Sequence, residues 1–231
     1  MRKIITPNQI IGDAPLNFGN LLCDIYTLFV KYGKAYGNED GRTVFFAHSF
    51  QLNLWLLIQF DSFLEVFASN SNRVSSHAQL SSENASQFVS QYDTINRANY
   101  CTRAMFDVEF FLKSIVKELK RNPDVGYRAL TKKLKDELKL SDYQCDILNL
   151  PAVTRNTLHN NGYHREKDWE VVIGRRKYKF EKDKKVRFAG WDNLYIMFDE
   201  LLDVLEVIVE SQKLKSLANI PHTSMTYQDT Q

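Results

Sequence analysis

Apolar residues recur at the three- and four-residue spacing of α-helices over most of this chain. The spacing predicts long helices over Leu16–Tyr36, Thr43–Ala68, Glu83–Lys120 and Trp191–Lys213, and a shorter one around residues 127–138. Together these segments indicate an all-α (mainly α) fold, a helical bundle.

The region between the short helix and residue 162 carries its own start and stop signals. Ser141 and Gln144 have the spacing of a capping box, which predicts a helix starting there. Pro151 interrupts that segment, so it either kinks the helix or opens a new one over Pro151–Asn161. Gly162 is well placed as the left-handed residue that ends it.

Two segments depart from the helical pattern. Residues Ser69–Ser82 are rich in Ser and Asn and have no apolar period, which predicts a loop or a helix-hairpin turn. Trp169–Ile173 is β-prone and Lys177–Phe180 alternates, so we expect a β-hairpin within about residues 168–188, before the last helix.

Length and composition fit a single globular domain. The chain has 231 residues, of which 44% are hydrophobic and 13% aromatic, enough to fill a sizeable core. Only nine Gly and five Pro argue against an all-β fold. We expect one helical domain over residues 1–215, followed by a polar C-terminal tail over residues 216–231.

Several classes of protein are disfavoured. The three cysteines are widely spaced and suggest neither a zinc motif nor a disulfide framework, so reduced thiols in a cytoplasmic protein are expected. The longest uncharged stretch, Thr43–Phe60, is too polar for a membrane span. No phosphate-binding glycine loop occurs, and His159 and His164 have no evident third metal ligand. We therefore expect no membrane association, no metal and no cofactor.

The best candidate for chemistry lies on the segment after Pro151. Arg155 and His159 are four residues apart, so on a helix their side chains share one face. Arg can hold a phosphate in a bidentate fork, and His can move protons near neutral pH. The alternative is structural: Arg155 pairs with Asp199 or Asp203 of the last helix, and His159 binds a neighbouring carbonyl.

The string Arg155-Asn156-Thr157-Leu158-His159-Asn160-Asn161-Gly162 resembles the signature of the HEPN superfamily of helical domains. The usual signature is Arg, a polar residue that is often Asn, and a His after about four to six intervening residues. Here His159 follows Arg155 after three residues, and His164 follows after eight. The helical architecture adds a coarse resemblance over most of the chain.

The resemblance implies a metal-independent endoribonuclease that works as a homodimer, with Arg and His of both protomers meeting at one composite site. Arg155 would hold the scissile phosphate, His159 would act as general base or acid, and Asn156 would orient the phosphate or Arg155. It also implies a place in toxin–antitoxin or anti-phage defence systems, with an antitoxin or defence protein as partner.

A basic segment follows the Arg/His motif. Residues 165–187 hold ten Lys or Arg against five Asp or Glu, although the whole chain carries only +2. Aromatic residues interleave with these cations, a pattern that favours binding of single-stranded RNA. The predicted substrate-binding residues are His164, Arg165, Arg175, Arg176 and Lys177. The alternative is a solvated hairpin whose aromatic side chains pack on the bundle.

Two functions therefore stay open. One is an RNA-cleaving enzyme of HEPN type. The other is a catalytically inactive HEPN-like module for dimerisation, RNA binding or partner binding. Retention of Arg155, Asn156 and His159 favours the first, and the short spacing between Arg and His favours the second.

Overall fold

The computed structural model describes residues 11–68, 82–186 and 190–222. The elements are α1 (Ala14–Tyr36), α2 (Gly41–Ala68), α3 (Ser82–Glu118), α4 (Tyr127–Leu138), α5 (Asp142–His159), β1 (Trp169–Ile173), β2 (Arg176–Phe180), α6 (Trp191–Glu210) and α7 (Gln212–Lys215). The predicted mainly helical fold with a hairpin before the last long helix is confirmed. Except for Ser82, where α3 begins, the loop predicted over Ser69–Ser82 lies outside the described residues.

An aromatic cluster joins four of the helices in the core. Phe18 of α1 is fully buried, and its ring meets those of Phe60 on α2, Tyr100 on α3 and Trp191 on α6 at centroid distances of 5.4–5.9 Å. Rings of this size bury much apolar area, and edge-to-face pairs add to that stabilisation. The cluster thereby fixes α1, α2, α3 and α6 around one core.

Helix α5 is continuous from Asp142 to His159. The predicted capping box is confirmed: Gln144 N donates to Ser141 Oγ at 3.2 Å, and Ser141 N donates to Gln144 Oε1 at 2.9 Å. Pro151 lies inside the helix, so the alternative of a new helix opening there is excluded. An interior Pro costs about 3 kcal/mol in an isolated helix. Burial of the residues around Pro151 against α3, α4 and α6 offsets that cost.

The hairpin is a two-stranded antiparallel sheet with one buried face. Its register pairs Trp169 with Phe180 and Ile173 with Arg176. Val171, Ile173, Tyr178 and Phe180 point inward and are buried. Strand β1 contacts α5 and α6, so the hairpin packs its buried face against these two helices.

A buried ion pair ties the start of α2 to the end of the described chain. Arg42 is fully buried, and its guanidinium holds both carboxylate oxygens of Asp40 at 2.7 Å. The remaining donor NH1 bonds the carbonyl oxygen of Leu214 at 2.9 Å, and Asp40 also accepts from the amide of Ile220 at 3.0 Å. Paired in this way, both charges are satisfied away from water.

Gly41 lets this junction close. Its amide donates to the carbonyl oxygen of Ile220 at 2.7 Å, and a Cβ at Gly41 would lie only 2.9 Å from that oxygen. Ile220 itself is fully buried. Residues 216–222, assigned from the sequence to a polar tail, therefore belong to the packed body, and residues 223–231 lie outside the described part.

We expect Asp40→Asn to lower the free energy of unfolding by about 3–5 kcal/mol, because it leaves the Arg42 charge buried without its counter-charge. Asp61→Asn, an exposed position on α2, is the matched control and should stay within about 0.5 kcal/mol of the wild type. Urea unfolding followed by circular dichroism measures both. Equal stability of the two variants would contradict this account of the junction.

Candidate functional site

The C-terminal end of α5 presents Arg155, Asn156 and His159 on its uncovered face. The other faces of this segment are buried through Val153, Thr154 and Thr157. Arg155 is half-buried, while Asn156 and His159 are exposed. The helix geometry anticipated from the sequence is therefore present: Arg155 and His159 lie about one turn apart on the same side.

The helix ends immediately after His159 in a left-handed turn. Asn161 has φ +56° and Gly162 has φ +84°, and the Gly162 amide donates to the Thr157 carbonyl oxygen at 2.9 Å. This is the bond of a Schellman motif, with Asn161 in the left-handed position that follows the helix cap. A side chain at Gly162 would also meet Lys185, since a Cβ there would lie 3.1 Å from Lys185 Cε.

Arg155, Asn156 and His159 line one cavity of about 660 Å³. Its walls come from α3, from the end of α5 and from the loop leading to the hairpin. The other lining residues are Thr102, Phe106, Glu109, Val153, Thr157, Asn160, His164, Arg165 and Glu166. A space of this size is within the range of small-ligand sites.

The Arg155 guanidinium is held but not neutralised. Its Nε and NH2 donate to Asn156 Oδ1 at 3.3 and 3.1 Å. Among the described residues, no carboxylate lies within 4.0 Å of it, so the pairing with Asp199 or Asp203 considered from the sequence does not form. A cation facing a cavity without a partner carboxylate can take an anionic ligand.

The acidic residues in the cavity wall are committed to other cations. Glu109 pairs with Lys113 at 2.9 Å, and Glu166 pairs with Arg128. The charge of Arg155 is felt by Tyr127: burial raises the pKa of that phenol, Glu109 adds to the rise, and Arg155 opposes it. The Tyr127 hydroxyl donates to the Leu148 carbonyl oxygen at 2.9 Å, which fixes α4 to α5 beside the site.

His159 contacts a different helix. Its Nε2 lies 2.9 Å from Thr102 Oγ1 on α3, so the imidazole bonds a hydroxyl and not the neighbouring carbonyl considered from the sequence. Asn156, besides holding Arg155, accepts at its backbone oxygen from Asn160 Nδ2 at 2.9 Å. The polar groups of this helix end are thus ordered by one another and by α3.

His164 occupies a structural position. It is buried, its Nε2 lies 3.0 Å from the Lys167 carbonyl oxygen, and its Nδ1 lies 3.4 Å from Thr157 Oγ1. Its ring also meets Phe180 at a centroid distance of 5.3 Å. With both ring nitrogens engaged, His164 joins the loop to the hairpin and is not among the substrate contacts proposed below.

The predicted cations of the hairpin region do not all reach the cavity. Arg165 lines it and pairs with Asp183 at 3.0 Å. Arg176 donates to Asn193 at 2.8 Å and Lys177 pairs with Glu170 at 2.8 Å, both away from the cavity wall. Arg175, in the exposed turn between the strands, has no ion-pair partner within the described ranges. Exposed pairs contribute about 0–1 kcal/mol, so a phosphate can replace their carboxylates at little cost.

Sequence reasoning missed the wall contributed by α3. Thr102 precedes His159 by 57 residues, and no local pattern connects them. The available signal is weak: Thr102 and Phe106 are four apart on a helix whose neighbouring positions face the core, and Phe106 is 56% exposed. A polar and a large apolar side chain at that spacing mark a face that is not packed in the core.

The described part of the chain gives no support to a metal site, a membrane-spanning helix or a nucleophilic Cys101. No group of three or more His, Cys, Asp or Glu among the described residues is placed to hold a metal ion. None of the helices in the described ranges combines the length and apolar character that crossing a membrane requires. Burial raises the pKa of Cys101 to about 12, so its thiol stays protonated near neutral pH and is a poor nucleophile.

Comparison with known proteins leaves the family open. The resemblance of residues 155–162 to the HEPN signature therefore stays an expectation from the sequence. The chain matches no protein-family model, no curated protein and no solved structure.

Proposed function

We propose that this protein is a HEPN-like, metal-independent endoribonuclease that acts on cytoplasmic RNA as a homodimer. The observation that supports it is that Arg155 and His159 line the same cavity. Within the described ranges, Arg155 has no carboxylate partner there. A cation that stabilises the phosphate and a base that takes the proton of the ribose 2′-hydroxyl are both needed for phosphodiester cleavage through that hydroxyl.

The proposed chemistry needs only side-chain groups. His159 takes the proton of the 2′-hydroxyl, and the 2′-oxygen forms a bond to the adjacent phosphorus while the bond to the 5′-oxygen breaks. The leaving oxygen accepts a proton from a general acid, which in a composite site is the partner protomer's histidine. Arg155, held by Asn156, stabilises the charge that develops on the phosphate. The products are a 2′,3′-cyclic phosphate and a 5′-hydroxyl.

The exposed cations supply the expected binding surface. Arg165 stands at the cavity wall, and the hairpin extends the positive surface through Arg175, Arg176 and Lys177. A toxin–antitoxin or anti-phage defence role, with an antitoxin or defence partner, extends this proposal on the family resemblance alone.

A second candidate is a catalytically inactive HEPN-like module for dimerisation, RNA binding or partner binding. The observation that favours it is the spacing, since three residues separate Arg155 from His159 instead of about four to six. The two candidates differ in whether RNA is cut, because both allow binding and dimer formation.

We expect His159→Ala and Arg155→Ala each to reduce cleavage of single-stranded RNA about 10²–10⁴-fold, by removing the proton carrier or the phosphate-stabilising cation. The loss is measured by gel with end-labelled RNA, in EDTA, where the wild type should remain active. His48→Ala, an exposed histidine outside the cavity wall, is the control and should cleave normally. A wild type that binds RNA but leaves it intact would support the inactive module instead.

We expect the wild type to sediment as a dimer at tens of micromolar, with the ends of the two α5 helices at the interface. Phe106→Glu should yield monomers, because it puts a charge beside the composite site. Leu16→Glu introduces the same charge at a 68% exposed position on α1, which packs mainly on α2 and α6, and should leave the dimer intact. A wild type that is monomeric throughout this range argues against the composite site.

We expect the triple variant Arg175→Glu, Arg176→Glu and Lys177→Glu to weaken RNA binding and flatten its salt dependence. Removal of one phosphate interaction should reduce the slope of log K against log salt by about 0.7 for a single strand. Fluorescence anisotropy at several salt concentrations measures this, with Lys132→Glu, an exposed cation on α4, as the control. An unchanged slope in the triple variant would remove the hairpin from the binding surface.

A further inference from the structure

The hydroxyl of Thr102 makes two contacts at once. Thr102 Oγ1 lies 2.8 Å from the carbonyl oxygen of Ala98, one turn earlier on α3, and 2.9 Å from His159 Nε2 at the end of α5. Both distances are those of good hydrogen bonds. A half-buried hydroxyl on one helix therefore meets the exposed imidazole of another at a single nitrogen.

The hydrogen atoms of this arrangement can be assigned by counting donors. A threonine hydroxyl has one hydrogen to donate, and a carbonyl oxygen can only accept. The hydroxyl hydrogen must therefore point to Ala98, because the opposite choice leaves two oxygen lone pairs facing each other at 2.8 Å. The second contact then requires His159 Nε2 to carry a hydrogen and to donate it to Thr102.

From this we infer that Thr102 is a positioning residue that holds neutral His159 as the Nε2–H tautomer and leaves the lone pair on Nδ1. The tautomer of a histidine is set by the bond that its other nitrogen makes. Within the described part of the chain, Nδ1 of His159 has no hydrogen-bond partner. Nδ1 is thus the atom able to take a proton.

This assignment rests on the proposed function for its role in the reaction. The proton of the ribose 2′-hydroxyl moves to Nδ1 as the 2′-oxygen bonds to phosphorus and the bond to the 5′-oxygen breaks, and the leaving 5′-oxygen takes a proton from the partner protomer's histidine. The imidazolium that forms still carries its hydrogen on Nε2, so the bond to Thr102 is kept in both charge states. Thr102 accordingly orients the ring without having to rearrange during the step.

Nitrogen-15 NMR of the imidazole tests the assignment without any substrate. In alkaline buffer we expect His159 to show a pyridine-type Nδ1 and a pyrrole-type Nε2. Thr102→Val keeps the shape and removes the acceptor, so the two resonances should move towards each other as the tautomers mix. Thr102→Ser should keep the wild-type pattern.

The matched control is Thr27→Val on α1, where the hydroxyl makes the same kind of bond, to the Cys23 carbonyl oxygen at 2.9 Å. It should leave the His159 resonances unchanged. In cleavage assays Thr102→Val should lower kcat about 2- to 10-fold, the range expected for removal of one hydrogen bond, with KM unchanged and with activity retained by Thr102→Ser.

A protonated Nδ1 in the wild type, or a Thr102→Val spectrum identical to the wild type, would overturn the assignment. A wild type that shows the expected tautomer but cuts no RNA would refute the endoribonuclease and leave the hydrogen-bond assignment standing. The two failures are therefore distinguishable.

Discussion

The candidate site depends on the burial of helix α5 between α3, α4 and α6. Residues from Ile147 to Thr154 fill the core on several sides of this helix, and Pro151 is carried within it. A helix packed so widely has little freedom to rotate or shift, because cores are close-packed. The direction in which Arg155 and His159 point is consequently fixed by apolar contacts made up to three turns earlier.

The charged side chains at the cavity are likewise oriented by their neighbours. Glu109 and Glu166 have cationic partners, and Asn156 offers Arg155 a neutral acceptor. The guanidinium is therefore oriented without being cancelled by a neighbouring carboxylate. Arg42 differs from Arg155 because it is fully buried and bound by both carboxylate oxygens of Asp40. One arginine holds the fold together, while the other is free to act on an anion.

Local signals in the sequence were sufficient for most of the fold. The helical period, the Ser141–Gln144 capping box and the alternation of the hairpin each depend on residues a few positions apart. They were insufficient where distant packing decides. Pro151 allowed either a kinked helix or a new helix, and burial against the neighbouring helices carries one helix through it. Ile220 reads as part of a polar tail, yet Asp40 binds its amide from 180 residues away.

In the candidate site, too, the sequence predicts what nearby residues determine and misses what distant packing determines. Arg155, Asn156 and His159 were found because one helical turn brings them together in any helix. Thr102 was missed because its contact with His159 spans two helices. The sequence left open whether a carboxylate of the last helix pairs with Arg155, because it does not give the rotation of α6 relative to α5. The role of His164 as a buried connector depends on Lys167 and Phe180, which only the folded loop brings to it.

Two backbone hydrogen bonds close the base of the segment that carries the hairpin. The Val186 amide donates to the Gly162 carbonyl oxygen at 2.9 Å, and the His164 amide donates to the Lys184 carbonyl oxygen at 3.0 Å. Because these bonds close the base, the exposed turn between Ile173 and Arg176 can change in length or in charge without moving the end of α5. The charge carried by this turn can therefore change while Arg155 and His159 keep their geometry.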